Sequence, residues 1–233
     1  MFDTYFNIYN SDDLFKENTS VVYWTGGWDS TALLYKMAVE YGTEEKPIVA
    51  LSVKTENIQQ YSVEEKHRKV LKEILLNKGL HINFQEIEIT ATSIDLSPLE
   101  PACAGVAQPN LLLSSMWELF SYNDINICLG YVREDDIWHY MSEFKKVFYN
   151  MAKIQMSNAK LCLPLEWVHK EDIMDYLNSI ELLDYTWYCE NPDEDGKPCH
   201  TCASCKKVNK IVAYRLLENC DEEDEEGNEH LEK

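Results

Sequence analysis

The stretch VVYWTGGWDSTALLYKM, from Val21 to Met37, places an apolar run, a pair of glycines and an amphipathic run in direct succession. Its first four residues predict a short buried strand, because a continuous apolar run of this kind is typical of a parallel sheet. From Asp29 to Tyr41 the apolar residues recur at helical spacing and Gly42 follows them, which predicts a helix. The glycines therefore lie in a strand-to-helix turn, where open parallel sheets commonly bind phosphates.

The same alternation of strand and helix continues along the chain. Further strands are predicted at Pro47–Val53, Ile82–Ile89, Ile125–Leu129 and near Leu161–Leu165. Further helices are predicted at Val63–Lys78, Asn110–Tyr122, from about Lys170, and from about Ala203 to Leu217. Parallel neighbours need a crossover, normally right-handed, and helices supply it. We therefore predict an α/β fold with a doubly wound, mostly parallel sheet and helices on both faces.

Composition and charge exclude several classes of function. The chain has 233 residues, 45% of them hydrophobic, and a formal net charge of −20. Such an acidic protein is poorly suited to binding nucleic-acid backbones, whose affinity comes from lysine and arginine. No apolar stretch has the roughly 20 residues that span a bilayer, and the N-terminus lacks the basic start of a signal peptide. We expect a cytoplasmic protein without a membrane partner.

The glycine turn has the properties of an anion site, although it contains no lysine. Gly26 and Gly27 permit backbone angles closed to other residues, and the following helix start directs N–H groups toward a ligand. Hydroxyl groups flank the glycines at Thr25, Ser30 and Thr31. The turn fits neither of the two common glycine-rich nucleotide motifs. A structural alternative stays open, in which the glycines form a tight turn and Asp29 caps the helix.

Four of the eight cysteines form the pattern C-x9-C-x2-C-x2-C at Cys189, Cys199, Cys202 and Cys205. Four thiolates at this spacing predict a tetrahedral zinc site, which has no open position and is therefore structural. An iron–sulfur cluster, disulfides or free thiols are the alternatives, and His200 could replace one thiolate. The scattered cysteines are interpreted as buried apolar side chains. They are Cys103, Cys128, Cys162 and Cys220.

Several motifs together resemble known enzymes. TGGWDST resembles the S-G-G-x-D-S pyrophosphate loop of the PP-loop ATP pyrophosphatases, with Thr25 at the serine position. With the C-terminal cysteine pattern, it resembles the QueC family. LPLEWVHKED is similar to that family's T-P-L-x-W-x-x-K segment, matching at Pro164, Leu165, Trp167 and Lys170. LGYVRED is similar to its T-G-x-x-x-x-D segment, keeping Gly130 and Asp135. The resemblance extends over about residues 20–219.

The resemblance implies a PP-loop or HUP-like fold. It also implies an enzyme that cleaves ATP between the α and β phosphates and adenylates a carboxylate or carbonyl-type oxygen. It implies an ATP site, with magnesium bridging the phosphates, at Thr25, Gly26, Gly27, Asp29, Ser30 and Thr31. Of these, Asp29 and Ser30 are also catalytic candidates. Lys170 would supply a cation to the phosphates, and Asp135 would orient a purine-like ring or bind a metal. The alternative for Lys170 is a surface lysine at a helix start, and the alternative for Asp135 is a turn cap. Trp28 and Trp138 are candidates for stacking on a base, or for core packing.

Three segments depart from the family pattern. QPNL at Gln108–Leu111 stands where the family has a P-G-R-N turn, and YSVEE at Tyr61–Glu65 stands near its Q-R-H segment. The family's D-C-R segment has no counterpart in Ile137–Phe144. The ATP-side and zinc-side features are retained while acceptor-side residues differ, which indicates a divergent member.

The organisation and function that we expect follow from these motifs. We predict an N-terminal extension at 1–19, a nucleotide-binding α/β domain at 20–185, a zinc knuckle and helix at 186–220, and a disordered acidic tail at 221–233. The first functional hypothesis is adenylation of 7-carboxy-7-deazaguanine, followed by amide and nitrile formation with ammonia.

Two further hypotheses stay open. In the second, a branch found in phage DNA modification or anti-phage systems joins a deazaguanine or another acid to an amine on a protein or DNA. In the third, a non-catalytic nucleotide-binding scaffold keeps the fold and the zinc. Docking of the acidic tail on a basic partner and a homodimer are open as well.

Overall fold

The computed structural model describes residues 12–55, 59–89, 107–122, 124–213 and 215. The acidic tail at 221–233, the first 11 residues of the predicted N-terminal extension, Cys103 and Cys220 lie outside the described residues. The chain forms two compact units, Met1–Trp187 and Tyr188–Lys233.

A five-stranded sheet forms the centre of the first unit. The strands are β1 (Thr19–Tyr23), β2 (Ile48–Thr55), β3 (Ile82–Ile89), β4 (Ile125–Cys128) and β5 (Lys160–Cys162). They lie in the order β3-β2-β1-β4-β5, and every neighbouring pair is parallel. The predicted parallel α/β architecture is confirmed.

Helices connect and follow the strands. They are α1 (Asp12–Glu17), α2 (Trp28–Tyr41), α3 (Gln59–Asn77), α4 (Ala107–Leu119), α5 (Met141–Ile154) and α6 (Lys170–Ser179) in the first unit, and α7 (203–213) in the second. Short 3-10 turns form at Asp136–His139 and Leu183–Tyr185. Within 12–19, Phe15 of α1 is buried, and the Leu14 carbonyl accepts a hydrogen bond from the Asn126 amide at 3.0 Å.

Apolar side chains cover both faces of the sheet. On one face, Val21 and Tyr23 of β1 join a buried cluster with Met116 of α4 and Phe148 of α5. Alternate residues of a strand point to opposite faces, so Val22 faces the other layer. There α2 packs on β1, β2 and α6. Right-handed crossovers account for this division, because the chain moves outward in one direction from β1 to β3 and in the other from β4 to β5.

The strand order reverses between β1 and β4, which lie side by side. Their register pairs Val21 with Ile127 and Val22 with Cys128. In open parallel sheets, ligands bind beyond the carboxyl ends of the strands at such a point. The glycine turn follows β1 and the segment that starts at Leu129 follows β4, so the fold brings two predicted site segments to one crevice.

The helix between β4 and β5 is not among those predicted from the sequence. The crossover is α5, which buries Met141, Phe144, Phe148 and Ala152 at spacings of three and four residues. This pattern is an ordinary signal of an amphipathic helix. The predicted strand near Leu161–Leu165 is also too long, because β5 ends at Cys162.

Candidate functional site

The glycine turn joins β1 to α2 with a left-handed residue. Gly26 has φ of +83°, and a Cβ atom there would lie 2.8 Å from Cγ of Arg68. Gly27 is the N-cap of α2 and makes no side-chain capping bond. The first N–H groups of a helix have no intrahelical acceptor, and the helix dipole favours negative charge at this end. The turn therefore has the backbone features of an anion site.

The hydroxyl groups of the turn are bonded within it. The Ser30 hydroxyl accepts from the Thr25 backbone N–H at 3.2 Å and donates to the Gly27 carbonyl at 3.3 Å. The Thr25 hydroxyl accepts from the Gly27 N–H at 3.2 Å. Thr31 is fully buried, and its hydroxyl accepts from the Trp24 indole N–H at 3.0 Å. The bonds of Thr25 and Ser30 define the shape of the turn. Thr31 supports the turn from the buried side, through its bond to Trp24.

Asp29 pairs with Lys170. One carboxylate oxygen, Oδ2, accepts a hydrogen bond from the Lys170 ammonium, and both side chains are less than one-fifth exposed. The other oxygen, Oδ1, is buried and has no hydrogen-bond partner among the described residues. Gly27 is the N-cap of α2 and Asp29 is the second residue of the helix. Asp29 is therefore not the helix cap that the structural alternative assumed. The structure thus brings these two candidates together.

Lys170 is positioned as the first residue of α6. Its backbone N–H donates to Oε2 of Glu134 at 3.2 Å, and Oε1 of the same carboxylate lies 2.5 Å from Nδ1 of His169. Its ammonium also lies 5.8 Å from the centre of the buried Trp28 ring, within reach of a cation–π interaction. Glu134 therefore fixes the start of α6 from the segment after β4.

Gly130 lies directly against the turn. A Cβ atom at Gly130 would lie 3.1 Å from backbone atoms of Asp29 and Ser30, a distance tighter than ordinary van der Waals contact. A side chain at this position would push against the backbone at the start of α2, so glycine suits the close approach of the segment after β4. The retained glycine of the T-G-x-x-x-x-D segment therefore has a steric role beside the predicted ATP site.

Asp135 closes a turn in the same segment. Its Oδ2 accepts from the Val132 N–H at 2.9 Å, and the Val132 carbonyl accepts from the Trp138 indole at 2.6 Å. These contacts are those of the turn-cap alternative. Burial raises the pKa of Tyr131, with the nearby Asp135 charge adding to the effect. Trp138 is partly buried and packs against the α4–α5 core cluster.

Arg68 is a site residue that the sequence did not single out. It is 6% exposed, lies on α3, and donates from Nη1 to the Thr25 carbonyl at 3.1 Å. The sequence signal is weak, since KHRK on a helix indicates an exposed basic face. Tyr61 and Glu64 precede Arg68 by seven and four residues, so in a helix all three side chains lie on one face.

Trp187 borders the turn on its other side. Its backbone N–H donates to the Gly26 carbonyl at 3.1 Å, and it forms an isolated parallel bridge with Gly27. The His67 ring lies 5.1 Å from the Trp187 ring, and its Nδ1 lies 2.8 Å from the Tyr185 carbonyl. The turn is therefore held by backbone and side-chain contacts from several parts of the first unit.

The second unit contains the four predicted cysteines. The Sγ atoms of Cys189, Cys199, Cys202 and Cys205 all lie within 4.8 Å of one another, and those of Cys199 and Cys205 are 3.9 Å apart. A tetrahedral zinc with Zn–S bonds of about 2.3 Å separates its sulfurs by about 3.8 Å. The cluster therefore fits zinc. His200, the alternative ligand, is exposed and has φ of +58°.

Backbone N–H groups point at these sulfurs. The N–H of Cys202 lies 3.3 Å from Sγ of Cys199, and that of Cys205 lies 3.4 Å from Sγ of Cys202. Hydrogen bonds from Thr201 and Cys202 lower the pKa of Cys199 to about 5, whereas burial raises the pKa of Cys189 and of Cys205. Donors of this kind stabilise thiolates, the form that binds metal. The buried Cys128 and Cys162 instead lie in paired register on β4 and β5.

The first unit offers a second, harder metal ligand. A buried carboxylate oxygen without a hydrogen-bond partner among the described residues, Oδ1 of Asp29, suits magnesium, which prefers oxygen ligands and phosphates. The backbone N–H groups at the start of α2 suit the phosphates of ATP. The residues present therefore fit both groups.

A family model described as "Queuosine biosynthesis protein QueC" matches residues 19–214. The chain belongs to the QueC family. QueC membership and the parallel α/β fold support ATP-dependent adenylation as the general chemistry of this chain, and an ATP-using synthase or ligase as its class. The resemblance stated from the loop, the knuckle and the two shorter segments is thus confirmed at the level of the family.

Other comparisons add little to the QueC assignment. No curated protein matches the chain. Among solved structures, the chain is similar to the U34-tRNA thiolase NcsA from Methanococcus maripaludis with its [4Fe-4S] cluster. The match has 15% identity and a TM-score of 0.49, and covers 90% of this chain and 69% of that one. Across the described ranges, the helices are too short or too polar to cross a membrane.

Proposed function

We propose that this chain uses ATP to adenylate a carboxylate, releases pyrophosphate, and joins the activated acid to ammonia. The acid that best fits membership of the QueC family is 7-carboxy-7-deazaguanine. The observation that carries the proposal is the ion pair of Lys170 and Asp29 beside the glycine turn, at the start of α2 and at the sheet's switch point.

The proposed chemistry needs no side-chain nucleophile. A carboxylate oxygen of the acid attacks the α phosphorus of ATP, and the bond to the β-phosphate oxygen breaks, which gives an acyl adenylate and pyrophosphate. The nitrogen lone pair of ammonia then attacks the acyl carbon, AMP leaves with the C–O electron pair, and a proton is lost from nitrogen. In a second activation, the amide oxygen would attack the α phosphorus of another ATP and release a second pyrophosphate. Loss of AMP with the C–O electron pair and of two protons from nitrogen would then give the nitrile.

The residues of the chain contribute position and charge. The N–H groups at the start of α2 would hold the pyrophosphate, and the Lys170 ammonium would offset the negative charge that develops on it. Magnesium, when bound, would neutralise part of the phosphate charge, with Asp29 as its candidate ligand. The catalytic gain then comes from orientation and electrostatics.

Product analysis with a defined acid tests this proposal. Purified protein is incubated with ATP, magnesium, ammonia and 7-carboxy-7-deazaguanine, and the deazaguanine products are identified by mass spectrometry. We expect AMP together with the amide or the nitrile. Protein that consumes ATP equally with and without the acid contradicts the assignment of the acid, and the Asp29→Asn variant serves as the control for contaminating activity.

The acceptor-side differences favour a second candidate within the same chemistry. The segment Gln108–Leu111 lies in the first turn of α4, and Tyr61 donates its hydroxyl to Glu86 at 2.6 Å. Neither segment presents the residues of the family pattern. The second candidate joins a deazaguanine or another acid to an amine on a protein or DNA. AMP formed only when a macromolecular acceptor is added supports it, and ATP binding without turnover under any acceptor supports the scaffold hypothesis.

For the second unit we propose a structural zinc. Four cysteine ligands fill the tetrahedral coordination of zinc and leave no position for substrate. Metal analysis that returns about one zinc per chain supports this assignment. Iron with inorganic sulfide in its place would contradict it.

A further inference from the structure

A buried arginine lies beneath the glycine turn. Besides its bond to the Thr25 carbonyl, Arg68 faces the Tyr61 ring, 4.6 Å from its guanidinium carbon to the ring centre. Its Cγ fills the space that a side chain at Gly26 would need. Arg68 thus supports the turn through both a hydrogen bond and van der Waals contact.

The charge of this arginine is only partly compensated. Among the described residues, Oε2 of Glu64 is the carboxylate oxygen that pairs with it, 3.5 Å from Nη1 and at the limit of a hydrogen bond. Nη2 is buried and has no hydrogen-bond partner among the described residues. Burial of an incompletely paired cation is unfavourable for folding. A role in the site would explain why it is kept there.

The bond to Thr25 determines the orientation of a peptide group. In a trans peptide, the carbonyl of Thr25 and the N–H of Gly26 point in opposite directions, and this chain has no cis bond in the described part. Because Arg68 holds the carbonyl oxygen on its own side, the Gly26 N–H points away from Arg68. Glycine at this position would otherwise permit the peptide to flip and present an oxygen to an anion.

We propose that Arg68 is a positioning residue that locks the Thr25–Gly26 peptide with its N–H toward the anion, and so gives the turn its affinity for pyrophosphate. This inference rests on the proposed function, in which the turn binds the pyrophosphate of ATP. It assigns to α3 a part in the site that the loop motif does not contain. Arg68 and Lys170 together would replace the lysine that the turn lacks.

Direct binding tests the proposal without knowledge of the acceptor. Magnesium pyrophosphate and AMP are titrated calorimetrically into the wild type, Arg68→Met and Arg68→Lys. We expect Arg68→Met to weaken pyrophosphate binding about tenfold or more, since hydrogen bonds of charged groups have this magnitude, and to change AMP binding less than about twofold. Arg68→Lys keeps a cationic donor, so its affinity for pyrophosphate should lie between those of the wild type and Arg68→Met.

A purely structural role would give a different result. It would weaken pyrophosphate and AMP binding by similar factors, and that outcome, or unchanged pyrophosphate binding in Arg68→Met, overturns the proposal. In Arg68→Ala, added guanidinium should restore pyrophosphate affinity, because the shortened side chain leaves room for it. Arg68→Met is the matched control, since its side chain fills that space and no rescue is expected.

Two further controls separate the possible failures. Removing Arg68 takes away the ion-pair partner of the Glu64 carboxylate, so the Glu64→Gln/Arg68→Met double variant is measured if the single variant does not fold. Whether or not Arg68→Met folds, Arg68→Lys must lose more affinity for pyrophosphate than for AMP, with a smaller loss than is expected for Arg68→Met. Wild-type protein that binds no magnesium pyrophosphate contradicts the proposed function, whereas wild-type binding with an unchanged Arg68→Met contradicts only the role of Arg68.

Discussion

Lys170 and Asp29, which are 141 residues apart in the chain, form an ion pair at the start of α2. The pair joins the first residue of α6 to the second residue of α2, and these two helices pack against each other. A cation therefore reaches the glycine turn from the C-terminal part of the first unit. This relationship explains how a turn without a lysine could hold a phosphate.

Replacing Lys170 by methionine should remove most of the activity while the fold is kept. The neutral side chain retains the length of lysine and loses the charge that would offset the leaving pyrophosphate. We expect the rate of AMP formation to fall about a hundredfold, the size typical of a single preorganised electrostatic contact. Lys146→Met is the matched control, because Lys146 is 70% exposed on α5. Equal rates for the two variants would exclude the proposed role of Lys170.

Alanine at Gly26 and at Gly79 should have different consequences. Both glycines have positive φ, +83° and +77°, so each substitution should cost about 1 kcal/mol of stability or slightly more. At Gly79 an added Cβ meets nothing within 4 Å, whereas at Gly26 it would clash with Arg68. We expect Gly26→Ala alone to weaken ATP binding, about tenfold or more, in a fluorescence or calorimetric titration. Similar ATP affinities in both variants would count against the turn as the phosphate site.

Removing the metal should destabilise the second unit. Protein treated with a chelator, and the variant Cys199→Ser, should lose about one zinc per chain and unfold at lower temperature, because metal binding contributes to folding free energy. Cys162→Ala is the control, since Cys162 is buried in β5 and lies outside the cysteine cluster. Loss of zinc from the control, or full zinc in Cys199→Ser, would show that the cluster is wrongly assigned.

Stability should decrease in alkaline solution. Burial raises the pKa of Tyr23 and of Tyr176 above the unfolded value of about 10. Below pH 10 these tyrosines are protonated in both the folded and the unfolded state, so the stability that they contribute is fully present. Above it the unfolded chain loses protons first, so each contributes a decrease of up to about 1.4 kcal/mol per pH unit.

The variant Tyr176→Phe isolates one of these groups. Its free energy of unfolding, measured with urea from pH 9 to about pH 12, should fall less steeply with pH than that of the wild type. Tyr149→Phe is the comparison, because Tyr149 is half exposed on α5. An identical slope in wild type and Tyr176→Phe would mean that Tyr176 ionises as readily in the folded protein as in the unfolded chain.

The local parts of the site could be predicted from the sequence. An apolar run, two glycines and an amphipathic run are adjacent in the chain, so they define β1, the turn and α2 without knowledge of the rest. The cysteine spacing is equally local. Lys170 follows from resemblance to a family segment, whereas its ion pair with Asp29 depends on the tertiary fold.

Arg68 could not be found in this way. Its neighbours Lys66, His67 and Lys69 suggest an exposed basic stretch, and only the crossover from β2 to β3 places α3 against the turn. Burial of its side chain is thus a consequence of tertiary packing. The helix α5 is a different case, because its apolar spacing is a local signal that the sequence contains.

The bond of ATP that breaks can be identified by separating the nucleotide products of the reaction with magnesium, ammonia and 7-carboxy-7-deazaguanine. Cleavage between the α and β phosphates predicts AMP and pyrophosphate in equal amounts, absent without the acid and strongly reduced in Lys170→Met. ADP and inorganic phosphate as the products would contradict adenylation and, with it, the assignment of the glycine turn to pyrophosphate.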